Sequence, residues 1–143
     1  MNSSISEQSL VGSADLLSLI ASGYRLEAKL EAALAPLGLS LAKLNVLTHL
    51  AESHRSLTLG EIAAKLQCVR SNVTQLTDRL EADGFVRRLY DPADRRTVRA
   101  ELTDLGRERQ TQGAEALAQA EHDIAAALPA GDLAALGRLS AVL

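Results

Sequence analysis

The strongest constraint on the fold is a change of hydrophobic period between residues 57 and 102. The segments LTLGEIAAKL and VRSNVTQLTDRLEADG place apolar residues three or four positions apart, which is the period of an amphipathic helix. The following segments FVRRLY and TVRAEL alternate apolar with basic or polar residues, which is the period of a strand. We therefore predict a helix-turn-helix followed by a β-hairpin over 85–102, with the turn at DPADRR.

Local signals set the ends of the two short helices. Thr58 lies three residues before Glu61, the spacing of a capping box, and predicts the start of the first helix. Gly84 predicts the end of the second helix, because glycine readily adopts the left-handed conformation that terminates one. The apolar stripe predicted for that second helix consists of Val69, Val73, Leu76 and Leu80.

The flanking segments carry the same helical period. They predict four further helices, over 10–34, 40–52, 103–128 and 132–142. Pro36 ends the first, since proline disfavours helical geometry in the residue before it. Ser40 is the expected N-cap of the next, and either Thr103 or Asp104 caps the long helix that follows the hairpin. We expect one mainly α domain over 1–143, with a winged helix-turn-helix at 40–102.

Composition narrows the class of protein. With 143 residues, no Trp, one Phe and two Tyr, the chain has room for one core, built from Leu, Ala, Val and Ile. The single cysteine, Cys68, excludes an internal disulfide. The N-terminal residues lack the pattern of a secretory signal, and no apolar run reaches the roughly 20 residues that span a bilayer. We expect a cytoplasmic protein without a membrane partner.

Charge is distributed unevenly along the chain. Residues 55–99 contain nine basic and six acidic residues, a formal charge of +3, whereas the rest of the chain carries −6. A basic middle between acidic flanks indicates a localised phosphate-binding surface.

A family resemblance is carried by three stretches: LGEIAAKL, SNVTQLTDRLEADGFVRR and DPADRRTVRAELTDLG. All three lie within 57–106, a segment that resembles the MarR family of bacterial transcription regulators. The resemblance implies a homodimeric winged-helix protein whose terminal helices, 10–35 and 103–143, form the dimer. It also implies a sequence-specific regulator of double-stranded DNA, a repressor at a palindromic operator rather than an enzyme.

The polar face of the second short helix supplies the candidate base contacts. Opposite its buried stripe lie hydrogen-bonding and basic side chains that suit the edges and phosphates of a major groove. These are Arg70, Ser71, Asn72, Thr74, Gln75, Asp78 and Arg79. The alternative is an ordinary solvated helix face. In the wing, the resemblance implies that Arg96 enters the minor groove, that Asp94 steadies it, and that Arg95 meets phosphate or solvent.

Two further expectations concern the wing. Asp94 and Arg96 could instead simply close the turn as an ion pair. Arg87 and Arg88 are neighbours on a strand and must point to opposite faces, so at most one of them readily reaches DNA.

The resemblance also implies a small aromatic or lipophilic effector between the dimer helices and the winged helix. Its candidate lining is Tyr24, Leu44, Leu47 and His49. An ordinary buried core explains these residues equally well.

The remaining chemistry is sparse. His49, His54 and His122 show no chelating spacing, so neither a metal nor a cofactor is expected. For Cys68 we favour a buried structural role over a redox sensor. A winged-helix redox switch or protein-interaction module using Cys68, with DNA contact secondary, remains the alternative function.

Overall fold

The computed structural model describes residues 13–141. Over this range the chain forms six α-helices, one 3-10 turn and three strands. In chain order these are α1 (Ser13–Leu34), the 3-10 turn (Ala35–Leu37), α2 (Leu41–Ser53), β1 (Leu57–Thr58), α3 (Leu59–Leu66), α4 (Arg70–Ala82), β2 (Val86–Tyr90), β3 (Val98–Leu102), α5 (Asp104–Ala127) and α6 (Ala130–Ser140). The predicted mainly α winged helix is confirmed; predicted helical residues 10–12 and 142 lie outside the described range.

The break between α1 and α2 follows the sequence signals. Pro36 lies in the 3-10 turn, and Gly38 ends that turn with a φ of 71°, a left-handed conformation that favours glycine. Ser40 is the N-cap of α2, and its hydroxyl accepts a hydrogen bond from the Lys43 backbone N–H at 3.1 Å. Both predictions for this junction are confirmed.

The helix-turn-helix consists of α3 and α4. The Thr58 hydroxyl accepts from the Glu61 backbone N–H at 3.0 Å, and the Glu61 carboxylate accepts from the Thr58 N–H at 2.7 Å, which confirms the capping box. Gln67 ends α3 with a φ of 52° and turns the chain toward α4. Gly84 follows α4 with a φ of 77°, as the predicted stop requires.

The wing is part of a three-stranded antiparallel sheet in the order β1-β3-β2. Strands β2 and β3 form the predicted hairpin, with Arg88 opposite Ala100. Strand β1 was not predicted, because a strand of two residues is too short to show an alternating pattern of apolar and polar residues. Leu57 pairs with Ala100 and Thr58 with Arg99, so the sheet is three-stranded only at the base of the wing.

The face that α4 presents to the core differs in one place from the predicted stripe. Val73 and Leu80 are fully buried and Leu76 partly so, but Val69 is 62% exposed. The prediction for Val69 was wrong because this residue is the extended N-cap that precedes the helix. Thr77 takes the buried place, and its hydroxyl donates to the Val73 carbonyl at 2.7 Å, which satisfies it without water.

The long helix α5 begins at a close backbone contact with the helix-turn-helix. Of the two predicted caps, Thr103 is the N-cap, and its hydroxyl also donates to the Gly84 carbonyl at 2.6 Å. A Cβ added at Gly106 would lie 1.8 Å from the Phe85 carbonyl oxygen, so only glycine fits there. This junction ties the start of α5 to the segment between α4 and β2.

Helix α1 leaves much of its apolar surface exposed. Six large side chains on it are between 39% and 69% exposed: Leu16, Leu17, Leu19, Ile20, Tyr24 and Leu26. The expected excess of apolar surface is therefore present on α1 within the single chain.

Within residues 13–141 no single helix is long and apolar enough to cross a bilayer. One bent pair, Leu16–Leu37 with Leu41–Ser53, passes on length and composition, but it turns by 67° and its second member is α2 of the core.

Candidate nucleic-acid interface

The seven polar residues predicted on α4 all lie on its exposed side. All seven side chains are exposed, whereas Val73, Thr77 and Leu80 are fully buried on the opposite side of the helix. The Thr74 hydroxyl donates to the Arg70 carbonyl at 3.0 Å, so its oxygen remains an acceptor. This face carries the amide, hydroxyl and guanidinium groups that can bond to base edges.

Asp78 differs from its neighbours on that face. Its carboxylate accepts a short hydrogen bond from the guanidinium of Arg88 on β2. The Arg88 guanidinium therefore compensates the negative charge of Asp78, and Asp78 faces solvent as one member of this ion pair.

The turn at the tip of the wing is built around two aspartates. The Asp91 carboxylate accepts from the Ala93 backbone N–H at 2.9 Å. The Asp94 carboxylate accepts from the Arg96 backbone N–H at 3.0 Å and from the Thr97 hydroxyl at 3.1 Å. Asp94 thus steadies Arg96 through the main chain. Among the ion pairs formed within residues 13–141, none joins Asp94 to the Arg96 guanidinium, so the predicted alternative of a turn closed by that pair is not observed.

The two arginines at the base of the wing point to opposite faces, as predicted. Arg87 pairs with Glu101, its direct neighbour on β3, at 2.5 Å. Arg88 points the other way and contacts α4 through Asp78 and Glu81.

The basic residues of 55–99 divide into two groups. Four are held in ion pairs: Arg55, Arg87, Arg88 and Arg99. The other five form no ion pair with any residue that the structure describes, and they are Lys65, Arg70, Arg79, Arg95 and Arg96. Four of these five were predicted to contact DNA. The charge that remains uncompensated is thus concentrated on α4 and at the tip of the wing.

A cleft of about 350 Å³ joins these two regions. It is lined by Thr58, Gly60, Arg70, Arg96, Thr97 and Val98. Arg70 from α4 and Arg96 from the wing therefore face one concavity, beside the first turn of α3. Two guanidinium groups at one opening suit a phosphate.

A carboxylate near this cleft is already neutralised by its partners. Hydrogen bonds from the Arg55 guanidinium, and then from the Thr58 backbone N–H, lower the pKa of Glu61 to about 2. Arg99 lies 3.7 Å from the same carboxylate and donates to the Ser56 hydroxyl at 3.0 Å. These contacts tie β3 to the start of α3.

The sequence of the winged helix matches known regulators. Residues 39–98 match the family model described as MarR family. The chain is 36% identical over 104 residues to the HTH-type transcriptional repressor YetL of Bacillus subtilis, covering 71% of this chain and 62% of that protein. It is 38% identical over 89 residues to the HTH-type transcriptional regulator PrsX of Escherichia coli, covering 61% and 53%.

The winged helix of this chain is similar to that of MarR-family regulators.

Solved structures share the fold over most of the chain. A mutant Escherichia coli MarR complexed with operator DNA superposes with a TM-score of 0.73 at 28% identity, covering 90% of this chain and 94% of that one. CouR from Rhodococcus jostii, bound to p-coumaroyl-CoA, superposes with a TM-score of 0.69 at 25% identity, covering 93% and 92%. The chain spans about half the length of the curated relatives it matches.

Of the four residues predicted to line an effector site, Leu44 alone borders the cavity between α2 and α5. Tyr24 is 69% exposed on α1, and Leu47 is fully buried in the core. His49 is half-buried on α2. Leu44 borders a cavity of about 450 Å³ between α2 and α5, whose other lining residues are Leu41, Asn45, Thr48, Gln110, Ala114, Leu117, Ala118 and Glu121.

Cys68 lies in the turn between α3 and α4. It is a free thiol, half-buried against the core, and its backbone N–H donates to the Ala63 carbonyl at 3.1 Å. In the part of the chain that the structure describes, no group of three or more His, Cys, Asp or Glu residues is placed to hold a metal ion.

Sequence reasoning missed two parts of the interface. Thr58 and Gly60 border the cleft, and the capping box could have indicated this, because it marks where a helix presents its free backbone N–H groups. The partner of Asp78 could not be found in this way, since Arg88 meets it only through the packing of β2 on α4.

Proposed function

We propose that this chain is a sequence-specific regulator of transcription that binds double-stranded DNA as a homodimer and represses by occupying a palindromic operator. One observation carries the proposal. Of the five basic residues of 55–99 that have no ion-pair partner among residues 13–141, four lie on the exposed face of α4 or on the wing tip, which are parts of one winged helix. Such a protein works in the cytoplasm, has no membrane partner and catalyses no reaction.

In this proposal α4 lies in the major groove. Gln75 and Asn72 can each form paired hydrogen bonds to adenine, and Arg79 can bond to guanine or to phosphate. The wing reaches the adjacent minor groove with Arg96, whose guanidinium suits the negative potential of an A·T-rich groove. Arg70 and Arg95 bind the phosphates on either side and set the register without reading sequence.

A second copy of the chain is the proposed cover for the exposed apolar face of α1. Isolated apolar side chains on a surface are ordinary, but a row of six along one helix favours association. A twofold axis near α1 and α5 would present two copies of α4 to successive turns of the same duplex. The complex of Escherichia coli MarR with operator DNA supports this arrangement by likeness.

Release by a small aromatic or lipophilic effector is part of the proposal. The cavity between α2 and α5 borders both the winged helix and the proposed dimer helices. An effector that binds more tightly to the dimer at one separation of its two α4 helices shifts the dimer toward that separation. The structure of CouR bound to p-coumaroyl-CoA supports the proposal that a protein of this fold binds an effector.

The test is duplex affinity measured by fluorescence anisotropy at several salt concentrations. Gln75→Ala and Arg96→Ala are expected to weaken binding to a preferred duplex by roughly tenfold each, and to relax preference at different base pairs. Glu115→Ala is the matched control, because Glu115 is exposed on α5, away from both contact surfaces. Equal binding of native protein to preferred and scrambled duplexes would contradict the proposal.

A further inference from the structure

The guanidinium of Arg88 connects the wing to three positions on α4. Its Nη2 donates to the Asp78 carboxylate and, at 3.4 Å, to the Thr74 carbonyl. Its Nη1 lies 3.3 Å from the Glu81 carboxylate, which also accepts the Arg88 backbone N–H at 3.3 Å. These contacts span two turns of α4 along one face, so one planar side chain fixes strand β2 against a length of the helix.

The surroundings of Arg88 strengthen this connection. Its side chain is 19% exposed, whereas that of the neighbouring Arg87 is 66% exposed. Water competes less for a shielded guanidinium, so its hydrogen bonds hold the geometry better than those of an exposed pair. Among residues 13–141 Arg87 pairs only with Glu101, and that pair inside the hairpin cannot relate the hairpin to α4.

Arg88 occupies the place where the wing leaves the sheet. It is opposite Ala100, which also pairs with Leu57 of β1. Beyond that level the third strand ends at Thr58, and the wing continues as a two-stranded ribbon toward Arg96. An isolated two-stranded ribbon has little stability of its own, so contacts at its base determine where its tip points.

We propose that Arg88 is a positioning residue for DNA recognition, and that Asp78 and Glu81 hold it in place. Arg88 sets the direction of the wing relative to α4, so that Arg96 reaches the minor groove while Gln75 reads the major groove. Asp78 then serves the geometry of the interface and does not itself read a base. This inference rests on the proposed function, because it explains how α4 and the wing contact DNA at the same time.

The test is a set of double-mutant cycles on one preferred duplex. Arg96→Ala is measured in the native background, in Arg88→Gln and in the matched control Arg87→Gln, after circular dichroism has shown all of them folded. Arg96→Ala is expected to weaken binding by roughly tenfold in the native and Arg87→Gln backgrounds. In Arg88→Gln it is expected to cost less than about threefold, because a misdirected wing has little contact left to lose. Arg88→Lys keeps the positive charge but lacks the planar guanidinium and its several donors. In this background the loss of affinity caused by Arg96→Ala is expected to lie between those of the native and Arg88→Gln backgrounds.

A second measurement does not involve DNA. Hydrogen exchange of the peptide covering 86–102 is expected to quicken in Arg88→Gln and to stay native-like in Arg87→Gln. The same cost of Arg96→Ala in all three backgrounds, or no cost in any, overturns the role of Arg88 in binding. Equal exchange in both variants overturns its role in ordering the wing. If native protein prefers no duplex the proposed function fails, and the exchange result alone then decides whether Arg88 orders the wing.

Discussion

The Asp94 carboxylate binds the main chain of Arg96, accepting its backbone N–H at 3.0 Å. The Arg96 side chain is left without an ion-pair partner among residues 13–141 while its backbone is held in a tight turn. Because the backbone of the turn is already ordered, DNA binding does not have to order it, which favours affinity through preorganisation.

This contact predicts different effects for two substitutions of Asp94. Asp94→Ala removes the acceptor and is expected to weaken duplex binding by roughly fivefold, equivalent to about 1 kcal/mol. Asp94→Asn keeps a carbonyl oxygen that can accept from the Arg96 N–H, and is expected to retain most of the affinity. Anisotropy titrations on one duplex distinguish the two. If asparagine were as damaging as alanine, charge and not turn geometry would be the property that matters.

The contact between Gly106 and Phe85 predicts a large stability effect. Gly106→Ala would place a methyl group 1.8 Å from the Phe85 carbonyl oxygen, and the backbone must shift to relieve the overlap. We expect a loss of about 3 kcal/mol in the free energy of unfolding, measured by urea denaturation. Gly60→Ala is the control, since a Cβ there meets only the Thr58 hydroxyl at 3.8 Å. Equal stability of the two variants would show that α5 does not begin against Phe85.

The Glu61 contacts predict a specific dependence on pH. Folding lowers the pKa of this carboxyl from its ordinary 4.5 to about 2, because Arg55 and the Thr58 N–H bind the charged form. The resulting stabilisation is present above about pH 4.5 and is lost as the pH falls toward 2. Between these values the stability of native protein should therefore fall more steeply than that of Glu61→Gln.

The control for that experiment is Glu115→Gln. Glu115 is exposed on α5 and forms no hydrogen bond or ion pair with other residues of 13–141. Urea midpoints measured from pH 7 to pH 2.5 should follow the native curve in this variant. If Glu61→Gln also followed it, the capping box and the Arg55 pair would contribute nothing to acid stability.

If the exposed apolar side chains of α1 form the proposed dimer interface, a charged residue introduced among them should disrupt the dimer. Ile20 is 54% exposed in the single chain, and Ile20→Glu should convert the dimer into monomers because a carboxylate is costly in an apolar interface. Sedimentation velocity measures the outcome, and Lys29→Glu on the same helix is the control. Monomers should also lose most of their duplex affinity, since two half-sites are no longer bound together. A dimer that persisted in Ile20→Glu would place the interface elsewhere.

The parts of the fold that the sequence predicts are those set by neighbours along the chain. Thr58 and Glu61 form the capping box at the spacing that indicated it, and Gly84 ends α4 as expected. The apolar periods indicated α1, α2 and α5 for the same reason. These features depend on contacts between residues three or four positions apart.

What the sequence did not predict depends on contacts between distant segments. Strand β1 exists because Leu57 pairs with Ala100, and two residues alone carry no such signal. The hydrogen bond between Asp78 and Arg88 arises where β2 packs on α4, so spacing along the chain did not indicate it. Thr77 lies outside the predicted apolar stripe, yet it is buried, because its hydroxyl bonds back to the helix.

In the proposed function, a dimer of this chain recognises a specific DNA sequence with two copies of the helix-turn-helix formed by α3 and α4. Selection of bound duplexes from a random pool by native protein tests it most directly. We expect enrichment of an inverted repeat whose half-sites lie about one helical turn apart, with A·T pairs where the wings reach the minor groove. A pool that shows no enriched sequence after repeated selection would contradict the claim.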